Sequence, residues 1–222
     1  MKFKKKIIAF IPARGGSKSI INKNLKKINE QSLVQITLKK AIKSKLFKNI
    51  VLSSNNNKIL KEGKKFKVVN IFKRPNRISS DKSTTESAIS HYLLNSNFDA
   101  EYLVVLQPTS PLRKIKTVIN FVNHCVKNRY TNCLSVTLKK EHISRVKKYF
   151  KPLESVKIRR RQNRKGFLVE NGMLYFIKIN DFLKKKKIFS KKWNYYITDE
   201  YESIDINNYK DLQIAKLIYN KI

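Results

Sequence analysis

The residues with the most evident chemical use lie near the start of the chain, where Arg14, Lys18 and Lys23 bracket the adjacent glycines Gly15 and Gly16, directly after the apolar run 7–11. The chain has only five glycines, so two in succession at a strand exit point to a backbone conformation that a side chain would disfavour. In such a turn successive N–H groups can converge on one anion, and flanking cations add charge-assisted bonds of about 1.5 to 3 kcal/mol each. The guest this suits is a phosphate chain; a plain solvated turn is the other reading. A P-loop would need glycine where Ile20 stands, and no third glycine completes a dinucleotide fingerprint.

Such a loop works only if rigid elements present it, and strand and helix signals do alternate along the chain. Leu33, Ile36, Ala41, Ile42 and Leu46 recur at helical spacing behind Ser32 as a cap, and 50–53 reads as a short strand. A helix over 57–66 precedes a strand at 68–72, and Ser83 with Glu86, at capping-box spacing, opens a helix through Leu94. The clearest buried strand is 102–106, followed by a helix over 115–126 and a strand at 133–136.

Four such units predict an α/β fold with a doubly wound, mostly parallel sheet. Ligands of such sheets bind beyond the carboxyl ends of the strands, which puts the loops 12–24, 54–57, 73–85 and 107–113 on one edge. Pro12, Pro75, Pro108 and Pro111 fall in these loops, where a fixed φ lowers the entropy lost on ordering. From Lys139 the pattern loosens, and 139–172 reads as a small inserted arm for dimer and substrate contact. The strand-like stretch 174–177 follows, and a last amphipathic helix from Asn208 sets Leu212, Ala215 and Tyr219 on one face.

At 222 residues the chain suits one domain, 1–222. Its formal net charge of +35 comes chiefly from lysines spread over nearly every segment, with Asn and Ile also abundant, as A- and T-rich codons would produce. A dedicated nucleic-acid surface is therefore not expected, although the runs 159–165 and 184–187 are densely basic. The run 7–11 is too short to span a bilayer or form a signal-peptide core, despite Lys2, Lys4, Lys5 and Lys6 before it. A cytoplasmic protein without membrane contact is expected. Cys125 and Cys133 lack metal-ligand spacing and read as reduced core residues, and His91, His124 and His142 are assigned no chemistry.

Taken in order, IPARGGSK (11–18) with Lys23 and Asn24, Arg74-Pro75, Ser80-Asp81, QPTSPLR (107–113), Arg161-Gln162, Asn171-Gly172 and SID ending at Asp205 resemble the CMP-sialic acid synthetases, the acylneuraminate cytidylyltransferases, over essentially the full length. The resemblance implies a nucleotide-diphospho-sugar transferase-like fold. It also implies a reaction in which a nine-carbon α-keto acid sugar attacks the α-phosphorus of CTP through its anomeric hydroxyl, with Mg²⁺, releasing pyrophosphate. Nucleotide binding would fall to Ala13, Arg14, Gly15, Gly16, Ser17, Lys23 and Asn24, with Arg74, Ser83 and Thr85 reading cytosine. Arg14, Lys18, Lys23, Gln107 and Asp205 would carry catalysis; Gln107, Arg161 and Asn171 would meet the sugar; Asp205 and Asn207 would hold the metal. A homodimer through the arm is implied too. Synthetases for the eight-carbon sugar Kdo share the fold but usually lack the paired glycines; they are one alternative, and a non-catalytic descendant that binds nucleotide or polyanion is another.

Charge arithmetic fits such a reaction. A nucleoside triphosphate carries about four negative charges, and one cation at 4 Å offsets about 4 kcal/mol at an effective dielectric of 20. Several Lys and Arg plus Mg²⁺ are thus needed, while positioning takes the place of a Ser-His-Asp arrangement. Arg161 could grip a sugar carboxylate with two prongs, as Lys could not. Other uses stay open locally. Gln107 could tie down its own loop, Asn171-Gly172 is a strong hairpin dipeptide, and Arg161 could face solvent. The proton acceptor is open between metal-bound hydroxide near Asp205 and the surroundings of Gln107. The family pattern S-I-D-x-D has a second aspartate where Asn207 stands; an amide keeps one oxygen for Mg²⁺, loses a charge, and could instead cap the last helix. Asn55 and Asn56 likewise stand where aspartates are common.

Overall fold

Apolar side chains on both faces make Ile7–Pro12 (β1) a strand for the middle of a sheet, and Ile7, Ile8, Ala9, Phe10 and Ile11 are all buried. The computed structural model describes residues 6–146, 148–149, 151–153, 160–188 and 192–221. After β1 come a short hairpin of Lys27–Ile28 (β2) and Gln31–Ser32 (β3), then Leu33–Ser44 (α1), Asn49–Ser54 (β4), Asn57–Lys64 (α2), Val69–Lys73 (β5), Thr85–Leu94 (α3) and Tyr102–Leu106 (β6). Ile115–Lys127 (α4), Asn132–Lys139 (β7), Phe167–Lys178 (β8), Ile179–Lys185 (α5), Asn194–Ile197 (β9) and Tyr209–Tyr219 (α6) complete the order.

The sheet runs β5-β4-β1-β6-β8-β7-β9. The first four strands are mutually parallel, β8 is antiparallel to both its neighbours, and β9 lies parallel to β7. Alternation along β1 divides the core, as the period of two in a strand requires. Ile7, Ala9 and Ile11 meet Val34 and Leu38 of α1, Ile59 of α2 and Phe121 of α4, whereas Ile8 and Phe10 meet Ile89 and Tyr92 of α3 and Phe182 of α5. This is the expected doubly wound, mostly parallel α/β architecture, the nucleotide-diphospho-sugar transferase fold. The chain builds outward from β1 through β4 to β5 and then crosses to β6 on the other side. The switch point between β1 and β6 is therefore where the loops 12–24 and 107–113 part, the place where such sheets open a crevice.

Several local expectations shift. The strand read at 174–177 extends over the whole of β8, inserts antiparallel between β6 and β7, and absorbs 167–172 of the expected arm. Within that arm 147, 150 and 154–159, Arg159 included, lie outside the described residues, as do Lys2, Lys4 and Lys5. Asn171-Gly172 makes no hairpin: it sits where the β7–β8 register shifts, and Gly172 takes a φ of 69°, which favours glycine. Thr84, not Ser83, caps α3, its Oγ1 accepting from the Ser87 N–H at 3.2 Å, and Asn208, not Asn207, caps α6 in a box with Asp211. The hairpin β2–β3, α5 and β9 are too short to show a period in sequence. Among the described residues no helix is long and apolar enough to cross a membrane. Cys125 and Cys133 are buried and unpaired, and burial, with Cys133 alongside, pushes the Cys125 thiol up.

Two buried charges and one half-buried lysine pin the 107–114 loop to separate elements. Arg113, 0 % exposed, donates from Nη1 to the Met173 carbonyl at 2.8 Å and from both terminal nitrogens to the Gln107 carbonyl at 3.3 Å. Glu202 accepts the Lys114 N–H at 2.9 Å, and Lys40 of α1 donates to the Pro111 carbonyl. Burial, helped by the nearby Arg113, lowers Lys40 to about 7. An amine with a folded pKa of about 7 and an unfolded one near 10.5 is fully protonated in both states below pH 7. Between those values the unfolded chain binds more protons, so the contribution of Lys40 to stability rises with pH. The stability difference between the Lys40→Met variant and the parent should therefore move steadily in favour of the parent from pH 7 to pH 10. Urea midpoints across that range measure it, and a constant offset would contradict the assignment.

Candidate active site

Every part of the glycine loop is fastened by a different element. Ala13 extends β1, donating its N–H to Ser53 O at 2.9 Å, and its methyl is in the core, which leaves only its backbone for a ligand. The Gly15 N–H is taken by Asn55 Oδ1 at 2.9 Å, whereas those of Gly16 and Ser17 have no acceptor among the described residues. Buried Asn24 closes the loop by donating from Nδ2 to Arg14 O at 2.9 Å, and Lys23 donates from Nζ to Ile206 O at 2.9 Å.

The paired glycines serve a purpose other than the one expected, for neither has a positive φ. A Cβ on Gly15 would lie 2.6 Å from Asn56 Cβ, whereas one on Gly16 would meet nothing within 4 Å. Gly15 is thus a close approach between the loop and the start of α2, and Gly16 borders open space.

At the β1–β6 switch point this loop forms one wall of a cleft, with Arg14, Ser17, Lys23 and Asn24 facing Arg74 and Ser83 from the loop after β5, Thr85 at the start of α3, and Gln107 just past β6. Arg74 is 5 % exposed and its Nε has no hydrogen-bond partner. Burial, with Arg14 nearby, lowers it to about 10. Burial also lowers Lys23, and Arg14 adds to the effect against an opposing Asp205. Asn24 Oδ1 and Arg14 Nη1 are likewise buried without hydrogen-bond partners. Such a set of underpaired cations and polar atoms is costly unless an anionic, hydrogen-bonding guest completes it. Lys18 stands outside this lining with its side chain 89 % exposed, and both it and Arg14 pair with Asp81. Gln107 donates weakly to Thr85 Oγ1 at 3.4 Å.

A second cleft of about 520 Å³ adjoins the first and is lined by Asn171, Gly172, Glu170, Asp205 and Asn207. Ile206 divides the two, its carbonyl accepting Lys23 and its N–H reaching Thr109 O at 2.8 Å. Asp205 and Asn207 face each other across 2.9 Å, Nδ2 to Oδ2. The amide nitrogen of Asn207 faces the carboxylate in this contact, so the pair offers a hard cation such as Mg²⁺ one carboxylate and, with the amide turned over, one amide oxygen, leaving the rest of the shell to waters and phosphate oxygens. Among the described residues no group of three acidic, His or Cys side chains could hold a metal unaided.

Two residues expected at the sugar already hold protein partners, Asn171 while lining the second cleft and Arg161 outside both. Asn171 donates to Thr137, Thr198 and Ser203 hydroxyls at 3.1, 2.9 and 3.1 Å and accepts from Ser135 Oγ at 2.6 Å, knitting β7, β8 and the stretch after β9 together. Arg161 lies in neither cleft; it pairs with Glu141 at 2.6 Å on the exposed arm, which the β7–β8 ribbon directs outward. The sequence assigns no role to Asn55, Asp81 or Arg113. For Asp81 and Arg113 the available signal is their place inside SD and QPTSPLR; for Asn55 it is only a departure from aspartate.

Comparison with known proteins identifies a family and a fold. The model of the cytidylyltransferase family matches residues 8–221. The chain is 28% identical to N-acylneuraminate cytidylyltransferase of Escherichia coli O18:K1:H7 over 97% of its own length and 52% of that protein, so it spans about half of that relative. It is 27% identical to post-translational flagellin modification protein B of Campylobacter coli and 26% identical to CMP-N,N'-diacetyllegionaminic acid synthase of Campylobacter jejuni, in both cases over 96% of the chain and 94% of the relative. Among solved structures, CMP:2-keto-3-deoxy-manno-octonic acid synthetase complexed with CTP superimposes with a TM-score of 0.74 at 11% identity, covering 97% of this chain and 99% of that one. A 4-diphosphocytidyl-2C-methyl-D-erythritol synthase from Anaerococcus prevotii does so at 0.71 and 14%, covering 98% and 99%. At these identities the structures share the fold.

The different surroundings of the two glycines lead to opposite outcomes for one substitution. Gly15→Ala should cost about 1 to 3 kcal/mol of stability through overpacking against Asn56, and Gly16→Ala should be neutral in the unliganded protein. Urea unfolding of both variants decides, and equal costs would refute the distinction.

Proposed function

This chain belongs to the cytidylyltransferase family, and on that footing we propose that it joins CTP to a sialic-acid-like nine-carbon α-keto acid sugar, giving the CMP-sugar and pyrophosphate. The observation that carries this reading is the cleft at the switch point, where Arg74 is buried with its Nε unpartnered and shares the lining with the cations Arg14 and Lys23, for which the only ion pair among the described residues is that of Arg14 with Asp81. A pyrimidine nucleotide answers both halves of that deficit: carbonyl oxygens for Arg74, phosphates for the loop. Ser83 and Thr85 lie beside Arg74 for the base, and Ser17 and Asn24 lie toward the ribose and its phosphate. The N–H groups of Gly16 and Ser17, with Lys18 at the mouth, extend the phosphate site.

The sugar occupies the adjoining cleft, with its reacting hydroxyl toward Gln107. Lys23, on the dividing wall, follows the charge as it moves from the α-phosphorus to the departing pyrophosphate. Asp205 and Asn207 are the residues that would hold Mg²⁺, which when bound supplies positive charge to the phosphates. The curated relatives named for sialic and legionaminic acids support a nine-carbon acidic sugar as the class, whereas the likeness to the eight-carbon sugar's synthetase is one of fold.

A homodimer is part of the same reading. Leu168 and Val169 on the arm side of β8, and Tyr195 and Ile197 on the edge strand β9, are large apolar residues left exposed on the two strands that flank β7. Arg161, carried away from its own clefts, would then reach the sugar carboxylate in the partner's site.

Pyrophosphate release with CTP and Mg²⁺, measured against N-acetylneuraminic, legionaminic, pseudaminic and Kdo acids, should be fastest with a nine-carbon sugar; silence with all four overturns the reading. In the same assay Asp205→Asn should cost about 100-fold or more in turnover, and Asn207→Asp should lower the Mg²⁺ needed for half-maximal rate. Sedimentation at micromolar concentration should give a dimer, and a monomer alone would refute that part.

A further inference from the structure

We propose that Asp81 is an internal counter-ion of the phosphate loop, occupying Arg14 and Lys18 when the cleft is empty and exchanging with the phosphate chain when nucleotide binds. The inference rests on the reading of that loop as a phosphate site and adds a residue that acts on how tightly the site holds its product.

The geometry is that of a carboxylate standing where phosphate oxygens would stand. Asp81 Oδ1 lies 2.7 Å from Arg14 Nη1 and Oδ2 lies 3.3 Å from Lys18 Nζ, one oxygen to each cation. The Arg14 contact is an ion pair made by a nitrogen that is itself buried. No other carboxylate pairs with either cation among the described residues. Lys18 and Arg14 together hold the Asp81 carboxyl below the usual carboxylate range, so it is charged at neutral pH.

Asp81 sits in a tight turn closed by the Ser83 N–H to Ser80 O bond at 3.0 Å, with the Ser80 and Ser83 hydroxyls also 3.0 Å apart. Ser83 itself lines the cleft. A carboxylate on so short a tether cannot leave the site, and it returns whenever the phosphate departs.

Magnitudes favour exchange over a permanent three-way contact. Asp81 and both its partners are each a third or more exposed at the side chain, and exposed pairs of this kind are weak and easily broken. A triphosphate presents several charges where Asp81 presents one, and it can also accept from the free N–H groups of Gly16 and Ser17. In the empty cleft, by contrast, Arg14 sits close enough to Lys23 and Arg74 to lower both, and Asp81 is the anion that offsets it. The same carboxylate therefore keeps the empty loop assembled and competes with pyrophosphate for it after the reaction.

Titration calorimetry of inorganic pyrophosphate and tripolyphosphate into the full chain tests this without any sugar. Asp81→Asn should bind both probes roughly five- to thirtyfold more tightly than the parent, since two exposed ion pairs no longer compete, and with a steeper loss of affinity as salt is added. Glu101→Gln, which removes one negative charge at the exposed Lys6–Glu101 pair away from the cleft, controls for the general effect of charge in so basic a protein. Tightening in Asp81→Asn no greater than in Glu101→Gln, or weaker binding, overturns the proposal while leaving the phosphate site in place. Absence of binding in parent and variants alike overturns the phosphate loop itself and the counter-ion with it.

Discussion

The burial of Lys23 and Arg74 beside Arg14 is the constraint on which the rest of this structure depends. Burial already disfavours the charged forms of Lys23 and Arg74, and Arg14 disfavours them further. Cations so placed stay together only where the backbone is held by stronger, non-ionic ties. Asn24 closes the loop on the Arg14 carbonyl, Asn55 takes the Gly15 N–H, and the Ile206 carbonyl receives Lys23. The parallel sheet supplies the anchor for all of them, since β1, β4, β5 and β6 end on one edge. A cleft with this charge suits a polyanion.

The opposite wall is governed by buried charge of another sort. Arg113 is enclosed with no carboxylate hydrogen-bonded to it among the described residues, and it joins the carbonyl of Gln107 at the end of β6 to that of Met173 in β8. Because β8 runs antiparallel to β6, Met173 and the bulge at Asn171-Gly172 come beside the carboxyl end of β6, not at the far end of the sheet. One guanidinium thereby sets the spacing between the two clefts. Asn171, whose amide is committed to hydroxyls on β7 and after β9, makes that wall rigid.

Much of this was legible in the residues. The alternation of strand and helix patterns, the caps at Ser32 and near Thr84 and Asn208, and the loops meeting at one edge all follow from local periodicity and turn chemistry. Arg14, Lys23, Asn24, Arg74, Ser83, Thr85 and Gln107 do share a cleft. Less legible was anything set by pairing between distant segments. The capping residue moved by one position at two helices because the neighbouring side chain was drawn elsewhere: Ser83 pairs with Ser80, and Asn207 turns to Asp205. The length and direction of β8 depend on strands that flank it from either side, and its own composition shows only a four-residue core of the pattern.

Sequence alone determined that a basic, glycine-bearing loop follows a buried strand and that this loop suits phosphate, because composition and spacing along the chain decide local conformation and charge. Only the tertiary structure decided why Gly15 must be glycine, since the atom in its way belongs to Asn56. It likewise decided that Asp81 faces the phosphate loop, that Arg161 points away from both clefts, and that Asn171 is a structural tie. Each of those outcomes is a contact between residues far apart in the chain, and such contacts are chosen by how strands order and helices pack, which no local spacing records.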